Sequence, residues 1–355
     1  MNRYARRAFA AVVAFVAVTV SPLAAKDDPP AIEYTPNFVK PKAILQVPPV
    51  YPRRAAYAGK EGWVLMRYSI ETDGSVSEVE VVDSSDYRGV FSTAAVTALK
   101  EWRYATPTLD GKPARKCNNR QLITFKFQEA TGGRPSFARK NRVILEHIKG
   151  ERFDEAERLI MEAHESEGLN LYEIDRLFLL EGVLNQTRGN DIAAMRAYSR
   201  AISGGGGHLT KDESIFVLRT LFALELNAER FTAAMRSFEM LKDWESPSDD
   251  DPISKAAAAI EGMKTSGSPF AVDARIENNP NATPDHSFFD YEPLRREIGI
   301  TDVSGSIDKL TIACDATTAT IVFEEGWSWK APNSWGACSV FVYGTPGTTF
   351  KIVEY

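Results

Sequence analysis

Gly62-Trp-Val-Leu-Met-Arg-Tyr-Ser-Ile70, running on through Glu71-Thr-Asp-Gly74 to Ser75-Val-Ser-Glu-Val-Glu-Val81, is the stretch on which the fold turns. Val64, Met66, Tyr68 and Ile70 share one face of an extended chain while Arg67, Ser69 and Glu71 take the other, the two-residue period of a half-buried strand. Asp73-Gly74 tolerates the positive backbone angles of a tight reversal, and Val79 and Val81 then alternate with Glu78 and Glu80, so the whole predicts an antiparallel hairpin. Toward the N-terminus, Tyr51-Pro52 opens a short helix-like run from Arg53 to Tyr57 that closes on Gly59 and Gly62. Toward the C-terminus, Phe91, Ala95, Leu99 and Trp102 recur at helical spacing and describe an amphipathic helix that ends near Thr106-Pro107. After the Asp110-Gly111 turn, Ile123, Phe125 and Phe127 alternate with Leu122, Thr124 and Lys126 as a third strand. Helix, hairpin, helix and strand make an α+β module, a small antiparallel sheet with helices over one face.

The order Tyr51-Pro52, Gly59, Glu61-Gly62, Asp73-Gly74, Ser84, Phe91, Ala95, Trp102-Arg103-Tyr104, Gly111-Lys112-Pro113 and Ile123 to Phe127 resembles the TonB C-terminal domain family. The resemblance spans residues 51–128, about a fifth of the chain. It implies a binding module without a catalytic centre. Domains of that family sit in the periplasm of Gram-negative bacteria and grip a short peptide at the plug of a TonB-dependent outer-membrane transporter, relaying inner-membrane proton-motive force. A last strand with an unpaired edge can do this by adding a partner strand, backbone bonds giving affinity and side-chain pockets selectivity. The expected peptide-binding residues are therefore Gln121, Leu122, Ile123, Thr124, Phe125, Lys126 and Phe127, with Tyr51 and Pro52 beside them. Ile123, Phe125 and Phe127 read equally as core, in which case binding uses the backbone edge and the outward-facing Thr124 and Lys126.

Arg3, Arg6 and Arg7 precede an apolar run from Ala8 to Val20 and the small-residue tail Ser21-Pro22-Leu23-Ala24-Ala25, the pattern of a secretory signal peptide over residues 1–25. Because the 18 residues from Ala8 to Ala25 are also just long enough to span a bilayer, an uncleaved N-terminal anchor stays open. The choice bears on mechanism: family members that couple energy contact the motor proteins ExbB and ExbD through an N-terminal helix, which a released periplasmic chain lacks. Residues 26–50 form a proline-containing linker that reaches about 90 Å at full extension, without the long proline-rich arm typical of the family.

Residues 137–264 are strongly helical and carry an internal repeat. Ala156, Ile160 and Ala163, then Ala194, Tyr198 and Ala201, then Ala234, Phe238 and Leu241 share one spacing and lie 38 and 40 residues apart. Small residues at helix contacts with a bulky one between resemble the tetratricopeptide pattern at a stretched period, a generic helical bundle being the alternative. Such an array is expected to lean on a neighbouring domain, since three repeats are near the minimum that buries a shared core. The acidic run Asp243, Glu245, Asp249, Asp250 and Asp251 lacks the glycine and spaced ligands of a calcium loop and reads as a solvated linker with a helix start.

Residues 267–355 shift to threonine, valine and aromatic residues, and four short strands are expected, at 310–314, 318–323, 338–343 and 349–355, in a small all-β domain. Cys314 and Cys338 both fall inside strands of a chain bound for an oxidising compartment and are expected to bond, stabilising by about 3 kcal/mol. Cys117 is left over and is expected as a partly buried thiol at the start of the third strand of the 51–128 module, in preference to a reactive one. Trp327, Trp329 and Trp335 crowd one turn, as core or as a contact surface.

The formal net charge is −6, but residues 51–127 hold 12 basic against 9 acidic side chains, so the acidity lies beyond Phe127. With no basic stripe interleaved with aromatics, nucleic acid is not expected as a partner. The four histidines are scattered, no metal motif, phosphate loop or nucleophile elbow occurs, and neither an enzyme nor a cofactor is expected. Two functions remain: an energy-coupling, TonB-type protein in transmembrane transport, and an exported interaction scaffold that uses the module only for docking. Motif quality favours the first, and the 228 residues that follow Phe127 favour the second.

Overall fold

The computed structural model describes residues 38–39, 41–85, 89–127, 132–203, 207–276 and 287–355. The expected leader at 1–25 and the first part of the linker lie outside the described residues. No described helix is long and apolar enough to cross a membrane.

The first part of the chain runs β1 (Phe38–Val39), β2 (Ala43–Leu45), α1 (Arg53–Tyr57), β3 (Gly62–Ile70), β4 (Val76–Ser84), α2 (Ser92–Lys100), β5 (Arg103–Tyr104), β6 (Thr108–Leu109), β7 (Lys112–Pro113) and β8 (Lys116–Phe125). β3 is central, paired antiparallel with β4 on one side and β8 on the other. The reversal between β3 and β4 requires glycine twice over: Gly74 has φ +81°, and a Cβ there would sit 1.9 Å from the Tyr104 carbonyl oxygen. Val64, Met66 and Ile70 are buried against Phe91, Ala95 and Leu99 from the α2 region, and the Trp102 indole donates to the Val47 carbonyl at 2.9 Å. Short pairings of β1 with β6, β6 with β7 and β2 with β5 trim the module.

The other face of this sheet, read from its sequence as open, is covered too. Trp63, Leu65 and Leu122 pack into the core of the helical region, Trp63 being only 2% exposed with its ring 6.3 Å from that of Phe178. Arg67 and Ser69 dominate that face in sequence and hide the apolar pair at the start of the strand.

Seven helices follow: α3 (Pro135–Lys149), α4 (Phe153–His164), α5 (Leu171–Arg188), α6 (Asp191–Ser203), α7 (Lys211–Asn227), α8 (Phe231–Lys242) and α9 (Pro252–Thr265). Consecutive helices pack as α3 with α4, α5 with α6 and α7 with α8, and α9 packs on α8 and α7. The three spaced triplets fall on α4, α6 and α8, and every member is buried. Asn170 caps α5 by accepting from the Glu173 amide, Gly189 ends it in the left-handed conformation, and Thr210 with Glu213 forms a reciprocal capping box on α7. In the acidic run, Asp251 caps α9, and Arg219 clamps Asp251 together with Glu245.

Among its described residues the last part has eight strands where four were expected: β9 (Phe270–Arg275), β10 (Phe288–Tyr291), β11 (Glu297–Ser304), β12 (Ile307–Cys314), β13 (Thr318–Val322), β14 (Ser328–Lys330), β15 (Cys338–Gly344) and β16 (Thr349–Glu354). They form two four-stranded antiparallel sheets, in the orders β10-β15-β12-β13 and β14-β11-β16-β9, that share one core including Ile300, Leu310, Val340 and Ile352. Cys314 and Cys338 face each other in the β12–β15 register and are bonded. Trp327, Trp329 and Trp335 are half-buried against the core.

Candidate functional site

β8 is the outermost strand of its sheet, and the hydrogen-bond phase of β3 fixes which of its backbone groups point away. Trp63 turns both its amide and its carbonyl toward the β4 side, donating to Ser85 Oγ at 2.9 Å and accepting from the Ser85 amide at 3.0 Å. The alternate residues Gly62, Val64 and Met66 therefore serve β8 through Phe125, Ile123 and Gln121, and the backbone groups of Leu122 and Thr124 face outward. No described residue hydrogen-bonds the Leu122 amide or either backbone group of Thr124. The Leu122 carbonyl accepts the side-chain amide of its neighbour Gln121 at 2.8 Å.

At its other end the same margin is taken. Asn118 has φ +54° at the register shift, and the Cys117 amide donates to the backbone carbonyl of Asp315, in the β12–β13 turn, at 2.6 Å. Lys116 forms an ion pair with the Asp315 carboxylate beside it. Cys117 itself is fully buried.

Of the side chains expected at the site, Ile123 and Phe125 lie in the module's own core, and Thr124 and Lys126 are exposed. Leu122 packs against the helical core. The strand begins five residues before Gln121 and ends at Phe125, so Lys126 and Phe127 lie beyond it. Phe127, 51% exposed, stacks on Tyr51 with ring centroids 4.7 Å apart, and Tyr51 also meets Phe91 and Phe125 edge-on at 5.9 and 5.6 Å. The structure thus brings Tyr51 to the end of β8, and the Pro52 carbonyl starts α1 by accepting from the Ala56 amide. Burial, with the Glu61 carboxylate nearby, pushes the Tyr51 hydroxyl up to about 12, so it stays a neutral donor to the Lys60 carbonyl at 2.8 Å. Val50 and Tyr57, flanking this pair in sequence, are 83% and 92% exposed.

Three residues that shape the edge were not legible as such. Glu61, 5% exposed, accepts from the Phe127 amide at 3.0 Å and from the Leu171 amide at 2.9 Å, tying the end of the edge to the first turn of α5. Its only sequence signal is its place beside Gly62. Lys116 and Asp315 are 199 residues apart, and nothing in either neighbourhood announces the other.

A cavity of about 1190 Å³ opens where β4, α6, β10 and β15 meet, lined among others by Arg67, Glu80, Arg230, Asp290 and Phe341. Its charges largely satisfy one another: Arg67 pairs with Glu80 at 2.6 Å and lies 4.4 Å over the Phe341 ring, and Arg230 pairs with Asp290 at 3.0 Å. It reads as a polar seam between the parts of the chain.

Residues 47–127 match the family model described as Gram-negative bacterial TonB protein C-terminal. Protein TonB of Pseudomonas aeruginosa is 34% identical over 89 residues, 25% of this chain and 25% of that protein. Protein TonB of Yersinia enterocolitica is 33% identical over 64 residues, 18% of this chain and 25% of that protein. The chain thus spans about a quarter of the length of the curated relatives it matches. Among solved structures, the solution structure of the Pseudomonas aeruginosa TonB CTD is 28% identical, with 25% of this chain and 89% of that one covered and a TM-score of 0.22.

Proposed function

Starting from residues 47–127 as a TonB C-terminal domain, we propose that this chain binds a short extended peptide of a TonB-dependent outer-membrane transporter by strand addition to β8, in energy-coupled transport across the envelope. The observation that carries this reading is the outward-facing backbone of Leu122 and Thr124 on an outermost strand, which offers two donors and an acceptor to an incoming strand. Exposed Phe127, stacked on Tyr51, supplies an apolar surface where such a strand would end. The protein acts by binding, exported to the periplasm of a Gram-negative bacterium, without catalysis or a cofactor. Contact with ExbB and ExbD follows only if the N-terminal segment is retained as an anchor, which the intact mass of the mature protein and its fractionation decide.

Thr124→Pro tests the edge directly, because the amide it removes points away from β3 and its loss costs the sheet nothing. The variant is expected to keep its far-UV circular dichroism and to lose roughly three- to tenfold in transporter-peptide affinity, the worth of a lost backbone bond. Full affinity in a folded variant rejects strand addition at β8.

A second reading is favoured by the way Trp63, Leu65 and Leu122 bury one face of the TonB-like sheet in the helical core. In it the chain is an exported scaffold, the tetratricopeptide-like helices and β domain being the working part and the TonB-like module a dock. Loss of the gene would then leave nutrient uptake unchanged, whereas the first reading requires uptake of a bulky nutrient to fail.

A further inference from the structure

We infer that the β12–β13 turn is a built-in stop that limits how long a strand β8 can accept, with Asp315 and Lys116 as the pair that sets the limit. The inference rests on the strand-addition reading and specifies which peptides that edge admits.

Along β8 the outward backbone groups are in two states. The Leu122 amide and both backbone groups of Thr124 are open, the Leu122 carbonyl holds only its neighbour Gln121, and at Cys117 the amide is already bonded to the Asp315 carbonyl at 2.6 Å. An incoming strand that followed β8 over its whole ten residues would have to displace Asp315. That turn is firmly held. The Asp315 amide donates to the Ala337 carbonyl at 3.0 Å, its Oδ2 accepts from the Ala337 amide at 3.2 Å, and its Oδ1 takes the Lys116 ammonium. The residues preceding Asp315 and following Ala337 are the bonded cysteines, Cys314 and Cys338. Gly336, at φ +73°, leaves the room this requires, since a Cβ there would come within 2.6 Å of the Asp315 side chain. The stop is therefore part of a cross-linked double strand, and displacing it breaks several contacts at once. Between stop and open margin, Arg120 reaches Glu292 at 3.2 Å, so a second contact with the C-terminal part flanks the same edge.

Between the Arg120–Glu292 contact and the end of β8 at Phe125, the margin suits an extended peptide of about six residues, a span of roughly 20 Å. The partner chemistry implied is a short extended segment that turns away or terminates where it meets Asp315.

The test uses the full chain and two synthetic probes, acetylated and amidated Thr-Val repeats closed by lysine, about six and about twelve residues long, read by fluorescence anisotropy. The native chain is expected to bind both equally. Lys116→Ala and Asp315→Ala should each leave the short probe unchanged and tighten the long one about tenfold, as removal of an ion pair and loosening of a backbone bond would do. Should Asp315→Ala not fold, Asp315→Asn retains an acceptor for the Ala337 amide while losing the charge that holds Lys116, and the same gain for the long probe is expected. No change for either probe, or equal gains for both, overturns the length limit and leaves strand addition standing. Failure of both probes to bind the native chain and every variant overturns strand addition, and the limit with it.

Discussion

Glu225 on α7 holds its carboxylate mostly out of water, with Ser237 Oγ donating to it at 2.6 Å. Burial pushes it from an ordinary 4.5 up to about 7, against the pull of Arg236 and Arg230. The folded chain therefore binds this proton more tightly than the unfolded chain. Stability from this group is fully present below about pH 4.5 and is lost as pH rises through about 7. His164 works in the opposite sense: burial, then Arg200 and Lys60, drive it from 6.5 down to about 3, so its contribution is present above pH 6.5 and lost as pH falls toward 3. Because the two oppose each other in mild acid, the wild-type profile alone separates neither. Glu225→Gln should raise the urea midpoint at pH 8, by an amount worth up to roughly 3 kcal/mol, and leave it nearly unchanged at pH 4. Parallel pH profiles for the two proteins would show that Glu225 is solvated after all.

At the scale of elements, the helical pairs owe their closeness to single small residues. Gly182 on α5 lies against Tyr198 on α6, and a Cβ at Gly182 would come within 2.5 Å of the tyrosine ring. Tyr198 is fully buried, with its hydroxyl donating to Gln186 at 2.7 Å, so the ring has nowhere to retreat. Gly182→Ala is expected to lower stability by about 2 kcal/mol despite the better helix propensity of alanine, because overpacking outweighs that gain. Adding Tyr198→Leu should recover part of the loss, and thermal melts of the single and double variants check it. A double variant less stable than the sum of its parts would place the strain elsewhere.

Across the whole molecule, the TonB-like sheet is joined to the helices by burial and by charge. Asp83 on β4 receives two bonds from the Arg200 guanidinium on α6, at 2.9 and 2.7 Å, and Arg200 is 8% exposed. Trp63 and Leu65 add apolar contact a few residues away, and Glu61 closes the far end. Such a seam should make the two parts unfold together. Arg200→Ala, which leaves Asp83 without this partner and a void against Phe178, is expected to cost about 2 kcal/mol and to split one calorimetric transition into two, the TonB-like part melting first. A single transition merely shifted in temperature would mean that apolar burial alone couples the parts.

The sequence by itself determined the local architecture of this protein: hairpin, turn glycine, amphipathic helix and alternating last strand follow from periods of two and 3.6 residues and from the angles glycine tolerates. It also determined which face of each repeated helix is buried and that Cys314 and Cys338 would meet, since strand position and burial patterning are written in nearby residues. Four strands of the last part are not marked in the sequence: β10 and β14 are only four and three residues long, β9 alternates but over six residues with two alanines, and β11 loses its alternation at the register shift after Thr301. Only the tertiary structure decided that the second face of the small sheet is covered, that Glu61 ties its end to α5, and that Asp315 occupies one end of the β8 edge while the Leu122 amide and the Thr124 backbone stay open. These depend on residues far apart in the chain meeting through backbone groups, and a backbone amide reads the same in every sequence.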